Sequence, residues 1–190
     1  MSPTKYVILV KHSLPEILED VPAREWHLSD TGRALAGKLA GELMKWQPEI
    51  VVASVEPKAR ETAEVIARDL GLKFHEVDGL HEHDRSRSPY YSKFEFQNLV
   101  REFFEKPSEL IFGNETANVT LERFQRAVDV VLNSSSDKNT IIVAHGTVIS
   151  LYASWLTGLD GYDLWQKLGL PSFVVLDIQS KTLHEIVNLT

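Results

Sequence analysis

Residues 140–159 read TIIVAHGTVISLYASWLTGL, and three kinds of segment follow one another within them. Thr140–Ala144 is a continuous apolar run, not an alternating one, as expected of a strand buried on both faces of a mainly parallel sheet. A polar turn, His145-Gly146-Thr147, comes next, and Val148–Leu159 is apolar almost all round, as a buried helix is. Strand, polar turn and helix make the repeating unit of an α/β protein. Working outward, runs rich in Val and Ile recur at Tyr6–Val10, Ile50–Ala53, Phe173–Asp177 and, more weakly, His184–Asn188. Helical patterns lie between them. Thr31–Trp46 gathers Ala34, Leu35, Leu39, Leu43 and Met44 on one face behind Ser29 or Asp30 as cap. Pro57–Leu70 opens on proline and stops at Gly71, and Asn118–Leu132 is amphipathic. The alternation predicts right-handed crossovers and a doubly wound, mainly parallel sheet with helices on both faces, a three-layer α/β/α fold. The stretch from about His83 to Gly113, with Arg85, Arg87, Pro89, Tyr90 and Tyr91, breaks the rhythm. It reads as a cap-like insertion within a single domain spanning residues 1–190.

Composition narrows the function. A chain of 190 residues builds its own core. Twenty Lys and Arg against 27 Asp and Glu give a net charge of −7. A dedicated nucleic-acid or membrane-surface binder would be basic, so any anion site is a local gathering of cations in an acidic protein. There is no cysteine, which removes disulfides, thiolate metal sites and cysteine nucleophiles together. The apolar run near the N-terminus is too short for a signal peptide, and no stretch approaches the ~18 apolar residues of a membrane span. A soluble cytoplasmic protein is expected, with its oligomeric state open.

In open α/β sheets ligands bind beyond the carboxyl ends of the strands. Three polar clusters fall there: Lys11-His12-Ser13, then Ser54 with Pro57-Lys58-Ala59-Arg60 opening a helix, then His145-Gly146-Thr147 opening another. Helix N-termini offer free N–H groups and favour anions. Two histidines, several cations and two helix N-termini on one edge point to a phosphorylated small molecule. A single histidine at a strand end is ordinarily structural, and periodicity alone goes no further.

Six segments in order are similar to one known family. VILVKHS resembles the first-strand Leu-Val-Arg-His-Gly motif of the histidine phosphatase superfamily, the phosphoglycerate mutase-like fold. WHLSDTGRALAGKLAGEL is similar to its first helix, ASVEPKARETAEVIARDL to its Ser-Ser-x-x-x-Arg-Ala-x-x-Thr-Ala helix, and GLHEHD to the Leu-x-Glu that supplies an acid. GNETANVTLERF resembles its Gly-Glu-Ser segment with the Arg of the following helix, and IIVAHGTVISLYASWLTGL its second His-Gly motif. The likeness runs from Tyr6 to about Asp177. Three departures stand out: Lys11 where the family has arginine, Ser13 where it has glycine, and Lys58 at the second arginine position. Lysine is a compact point charge and lacks the planar fork of arginine.

The resemblance implies a mechanism. His12 would attack phosphorus and form a phosphohistidine, Lys11, Lys58 and His145 would surround the phosphoryl oxygens, and Glu82 would protonate the leaving oxygen. That last role calls for a Glu82 whose pKa is raised. Ser13, Gly146 and Thr147 would complete the phosphate site. Arg60, His81, His83, Arg85 and Arg87 are candidates for a substrate rim. His81 and His83 flank Glu82, but no third ligand follows at a telling spacing, so no metal and no cofactor is expected. The substrate would be a small phosphorylated metabolite or a phosphoprotein. Three readings stand: a phosphatase, a mutase of the phosphoglycerate type, and a catalytically weakened member that binds a phosphorylated ligand or partner. The short insertion favours the first.

Overall fold

The computed structural model describes residues 6–89, 91–135 and 138–189. Tyr90 of the expected insertion, and Ser136 and Asp137 of the loop after the fourth helix, lie outside them. The strands are β1 (Tyr6–Lys11), β2 (Ile50–Ala53), β3 (Phe74–Glu76), β4 (Thr140–Ala144), β5 (Ser172–Asp177) and β6 (Thr182–Asn188). The helices are α1 (Asp30–Leu43), α2 (Pro57–Leu70), α3 (Lys93–Glu105), α4 (Ala117–Ser134), α5 (Gly146–Thr157) and α6 (Gly161–Lys167).

The described strands form one sheet in the order β3-β2-β4-β1-β5-β6. β3, β2, β4 and β1 run parallel, while β5 pairs antiparallel with both β1 and β6. The doubly wound, mainly parallel α/β architecture is therefore present. β5 and β6 form an antiparallel ribbon on one side of β1, joined by a turn in which Asp177 accepts from the Gln179 and Ser180 amides.

The continuous apolar runs are explained by burial on both faces. Val7, Leu9, Val52, Ile142, Ala144 and Val174 pack on one side with Phe124, Val128, Val148 and Tyr152 from α4 and α5. Ile8, Val10, Val51, Ala53, Ile141, Val143 and Val175 pack on the other with Leu39, Leu43, Ala63 and Ile66 from α1 and α2. Three elements escaped the sequence reading. β3 is three residues long and mostly exposed, so it has no apolar run to see. α3 lies inside the stretch that reads as an irregular insertion, started by a capping box between Ser92 and Glu95. α6 is a single short helix capped by Asp160. α3 builds a satellite core of Val100, Phe103, Phe112, Ala117 and Leu151.

Two connections aim the segment before α1. The Leu14 carbonyl accepts from the Ser29 amide, and Ser29 caps α1 through its bond from the Gly32 amide. Glu61 on α2 holds the same segment through His27, the Leu28 amide and Arg33. Gly32 lies against the Leu14 carbonyl, so that a Cβ there would stand 2.0 Å from its oxygen. No described helix is long and apolar enough to cross a membrane.

Gly32→Ala is expected to destabilise the protein by about 3 kcal/mol, the upper end for an overpacked site. Gly41→Ala, on the exposed face of the same helix with nothing within 4 Å of the added Cβ, is expected to stabilise by up to ~1 kcal/mol. Urea denaturation midpoints of the two variants check both signs.

Candidate active site

The carboxyl ends of the three adjacent strands β2, β4 and β1 set the site. The His12 amide continues the β1–β4 ladder by donating to the Ala144 carbonyl at 3.0 Å, and the Ser54 amide continues β2–β4 by donating to the Val143 carbonyl at 2.9 Å. His12, Ser54 and His145 therefore leave the sheet side by side. The two imidazole rings meet edge to face, 5.2 Å apart.

His12 is almost fully buried, and its Nδ1 lies 2.8 Å from the Ser13 carbonyl. A carbonyl only accepts, so Nδ1 carries the proton and Nε2 is left with its lone pair. Burial pushes the His12 pKa well below the usual value, helped by His145, Lys58 and Lys11. The ring is neutral at physiological pH, the state a nucleophile requires. His145 is completely buried and lowered in the same way, chiefly by burial and by Lys58. Its Nε2 stands 2.9 Å from the Ser54 hydroxyl and 3.6 Å from Glu56 Oε1.

Lys58 is buried and Lys11 partly so, and both are held by acceptors. Lys11 Nζ donates to the Leu168 carbonyl at 2.8 Å, and burial lowers its pKa to about 8 against the attraction of Glu82. Its stem crosses Gly146, where a Cβ would lie 3.1 Å from Lys11 Cε. Lys58 Nζ donates to the Ala23 carbonyl at 2.6 Å and to Glu56 Oε2 at 2.5 Å. Glu56, which the sequence reading passed over, is only 7% exposed and also accepts from the Glu82 amide at 2.8 Å. In sequence it is only an acid immediately before the proline that opens α2, two residues from the lysine, and that placement does not say which way its side chain turns.

Glu82 accepts from the His83 amide at 2.9 Å and from the Thr147 amide, in the first turn of α5, at 3.2 Å. Burial pushes its pKa up, yet the net shift is down, through His145, Arg85 and the two amides. At neutral pH, where His145 is uncharged, Arg85 and the amides carry that effect. The raised pKa expected of an acid is therefore corrected: the surroundings of Glu82 stabilise its carboxylate form.

The remaining candidates separate. Ser13 is fully buried and spends its hydroxyl on the Gly32 carbonyl and its amide on Thr62, so it braces the strand end. His81, His83 and Arg85 line a cavity of about 900 Å³ that also touches Glu56, Lys58 and Glu82. Within it, His83 turns its ring between Phe103 and Phe112 and bonds the Glu115 carbonyl. Arg60 and Arg87 are exposed and outside the cavity lining. Of the expected rim, these two therefore stand apart from the cavity, Arg60 on the exposed side of α2 and Arg87 in an exposed part of its loop. Trp26, Tyr91 and Phe96 form an aromatic wall, with Arg85 stacked on Phe96 at 4.6 Å. Arg85 makes no ion pair or hydrogen bond through its guanidinium among the described residues.

A network behind Glu82 fixes its loop. Arg123 on α4 donates to the carbonyls of Gly79, His81 and Glu82 and pairs with Glu115 at 2.6 Å. Glu115 in turn accepts from the Asp84 amide, and the Asn114 amide donates to the Asp84 carbonyl beside Gly113, whose φ is +76°.

The profile of the histidine phosphatase superfamily (branch 1) matches residues 8–187. The chain belongs to that superfamily. The match bears out the resemblance carried by the sequence motifs, and with it the assignment to a phosphatase family. No curated protein matches the chain. Among solved structures, phosphoserine phosphatase from Entamoeba histolytica in complex with 3-phosphoglyceric acid is similar at 18% identity and a TM-score of 0.76, over 98% of each chain. Mycobacterial glucosyl-3-phosphoglycerate phosphatase with inorganic phosphate is similar at 20% identity and 0.73, over 97% of this chain and 96% of that one. These likenesses establish the shared fold.

His12 and His145, the two histidines lowered furthest, have a stability consequence. Below pH 6.5 the unfolded chain takes up protons on both rings that the native state refuses, so native stability falls as pH drops. The loss of melting temperature between pH 7 and pH 5 is expected to be smaller in His12→Gln than in wild type. An equal loss would place the His12 pKa near its ordinary value.

Proposed function

We propose that the protein is a phosphomonoesterase that hydrolyses a small phosphorylated metabolite through a phosphohistidine on His12, without a metal. The observation that carries this reading is the locked tautomer of His12: Nδ1 is tied to the Ser13 carbonyl, and Nε2 is left to attack. In the first step the Nε2 lone pair forms a bond to phosphorus while the ester oxygen leaves, taking a proton from Glu82. In the second, Glu82 takes a proton from water, the hydroxide oxygen bonds to phosphorus, and the phosphorus–nitrogen bond breaks to release phosphate. Lys11, Lys58, His145 and the α5 amides of Gly146 and Thr147 supply positive ends to the oxygens in transit.

Glu82 has to acquire a proton for the first step. A phosphoryl group arriving at the N-terminus of α5 competes for the Thr147 amide and brings negative charge beside the carboxylate. Both changes raise the proton affinity of Glu82. The guanidinium of Arg85, stacked on Phe96 and without an ion pair or hydrogen bond among the described residues, suits a second anionic group on the substrate. Phosphoserine and 3-phosphoglycerate, named with the structural neighbour, carry a carboxylate in addition to the phosphoryl group. A second reading, a member that binds phosphorylated ligands with weak turnover, is favoured by one observation: Lys58 is already paired with Glu56.

Hydrolysis of an aryl phosphate in EDTA is expected to proceed in wild type and to fall about a thousandfold or more in His12→Ala. Wild-type rates in that variant would refute the phosphohistidine. Phosphate binding with no turnover in either protein would select the second reading. Glu82→Gln is expected to slow alkyl phosphates more than nitrophenyl phosphate, since only the poorer leaving group needs the proton. Arg85→Ala is expected to raise KM for phosphoserine more than for phenyl phosphate.

A further inference from the structure

Glu56 has the partners of a bound anion. Its carboxylate receives the Lys58 ammonium on Oε2 and the Glu82 amide on Oε1, and Oε1 also lies 3.6 Å from His145 Nε2. It precedes α2 in the helix-capping position but makes no side-chain cap bond. The side chain is committed to the cavity groups instead, and both it and Lys58 are buried. Resting on the reading of this site as a phosphoryl site, we propose that Glu56 is a specificity-determining residue: a resident anion that holds Lys58, competes with the phosphoryl group for it, and disfavours doubly charged phosphoryl groups.

The charges at the base of the site support this. Lys11 and Lys58 face two carboxylates, Glu56 and Glu82, while both imidazoles are neutral. These four groups sum to about zero before a ligand enters. A pocket in which both lysines were unopposed would present two positive charges to a phosphate dianion. Here the incoming group meets a compensated cation and a carboxylate fixed beside it, and the uncompensated charge grows with each negative charge the ligand brings. Lys58 has two of its three donors engaged, by Ala23 and Glu56. The carbonyl of Ala23 is neutral and does not repel phosphate. Glu56 does, so the sign of its effect on phosphate binding separates a competitor from a residue that merely positions Lys58.

The test is calorimetric titration with inorganic phosphate at pH 7.5, on folded wild type, Glu56→Gln, Lys58→Gln and the double variant. Glutamine keeps the shape, removes the charge and retains one acceptor oxygen, for either Lys58 or the Glu82 amide, which use different oxygens of Glu56. Glu56→Gln is expected to tighten phosphate about tenfold or more, an effect in the range of a like charge removed from a partly buried site. Lys58→Gln is expected to weaken it strongly, because Glu56 is then unopposed. The double variant is expected to return close to wild type, since the pair carries no net charge. Weaker or unchanged binding in Glu56→Gln overturns the proposal in favour of a positioning role. If Glu56→Gln does not fold, a double variant far weaker than wild type overturns it equally. These outcomes are separate from failure of the phosphatase reading, which would appear as wild type that neither hydrolyses aryl phosphates nor binds phosphate.

Discussion

The parallel pairing of β1 with β4, continued past the sheet by the bond from the His12 amide to the Ala144 carbonyl, decides where every other group in the site stands. One more rung of ladder places His12 next to the residue that leaves β4, which is His145. β2, bonded to the other side of β4, delivers Ser54 and then the start of α2 with Glu56 and Lys58. Because these strands are buried on both faces, a one-residue slip would drive every side chain into the opposite core, which is packed for a different one. The core thus holds His12, Ser54 and His145, while Arg123 holds the loop that carries Glu82.

Removing charge from water is the second constraint. A buried ammonium needs acceptors, and the protein supplies them locally: Leu168 for Lys11, and Ala23 with Glu56 for Lys58. The imidazoles answer the same constraint differently, by staying neutral. Glu82 answers it with two backbone amides and Arg85. Each solution leaves the residue ordered before a ligand arrives, so little side-chain entropy remains to be lost when one binds.

How much of this could be read from the chain follows the same physics. Val- and Ile-rich strands, the Pro57 start and the Gly71 stop of α2 are local signals, and they located β1, β2, β4, β5 and α2 closely. β3 and α6 are too short for a periodic signal, and α3 is amphipathic toward a satellite core that the sheet pattern does not foretell. In the site, His12, Glu82 and His145 were legible because motif order fixes them. Glu56 was not, since nothing in sequence distance says that an acid before a helix turns back into the cavity. The direction of the Glu82 shift was hidden for a similar reason. It depends on His145 and Arg85 and on the amides of His83 and Thr147, the last of them 65 residues away.

The bonds joining Asp84 to Asn114 and Glu115 bring the two ends of the α3-bearing segment together at a fixed neck. Arg123 ties the same neck to α4 and to the loop that carries Glu82. Everything beyond the neck is then a closed excursion whose ends are pinned independently of its contents. Lengthening such an excursion costs little, because closure entropy grows only with the logarithm of its length. Natural variation can therefore rebuild the roof above the cavity, residue by residue, while the acid beneath it keeps its place.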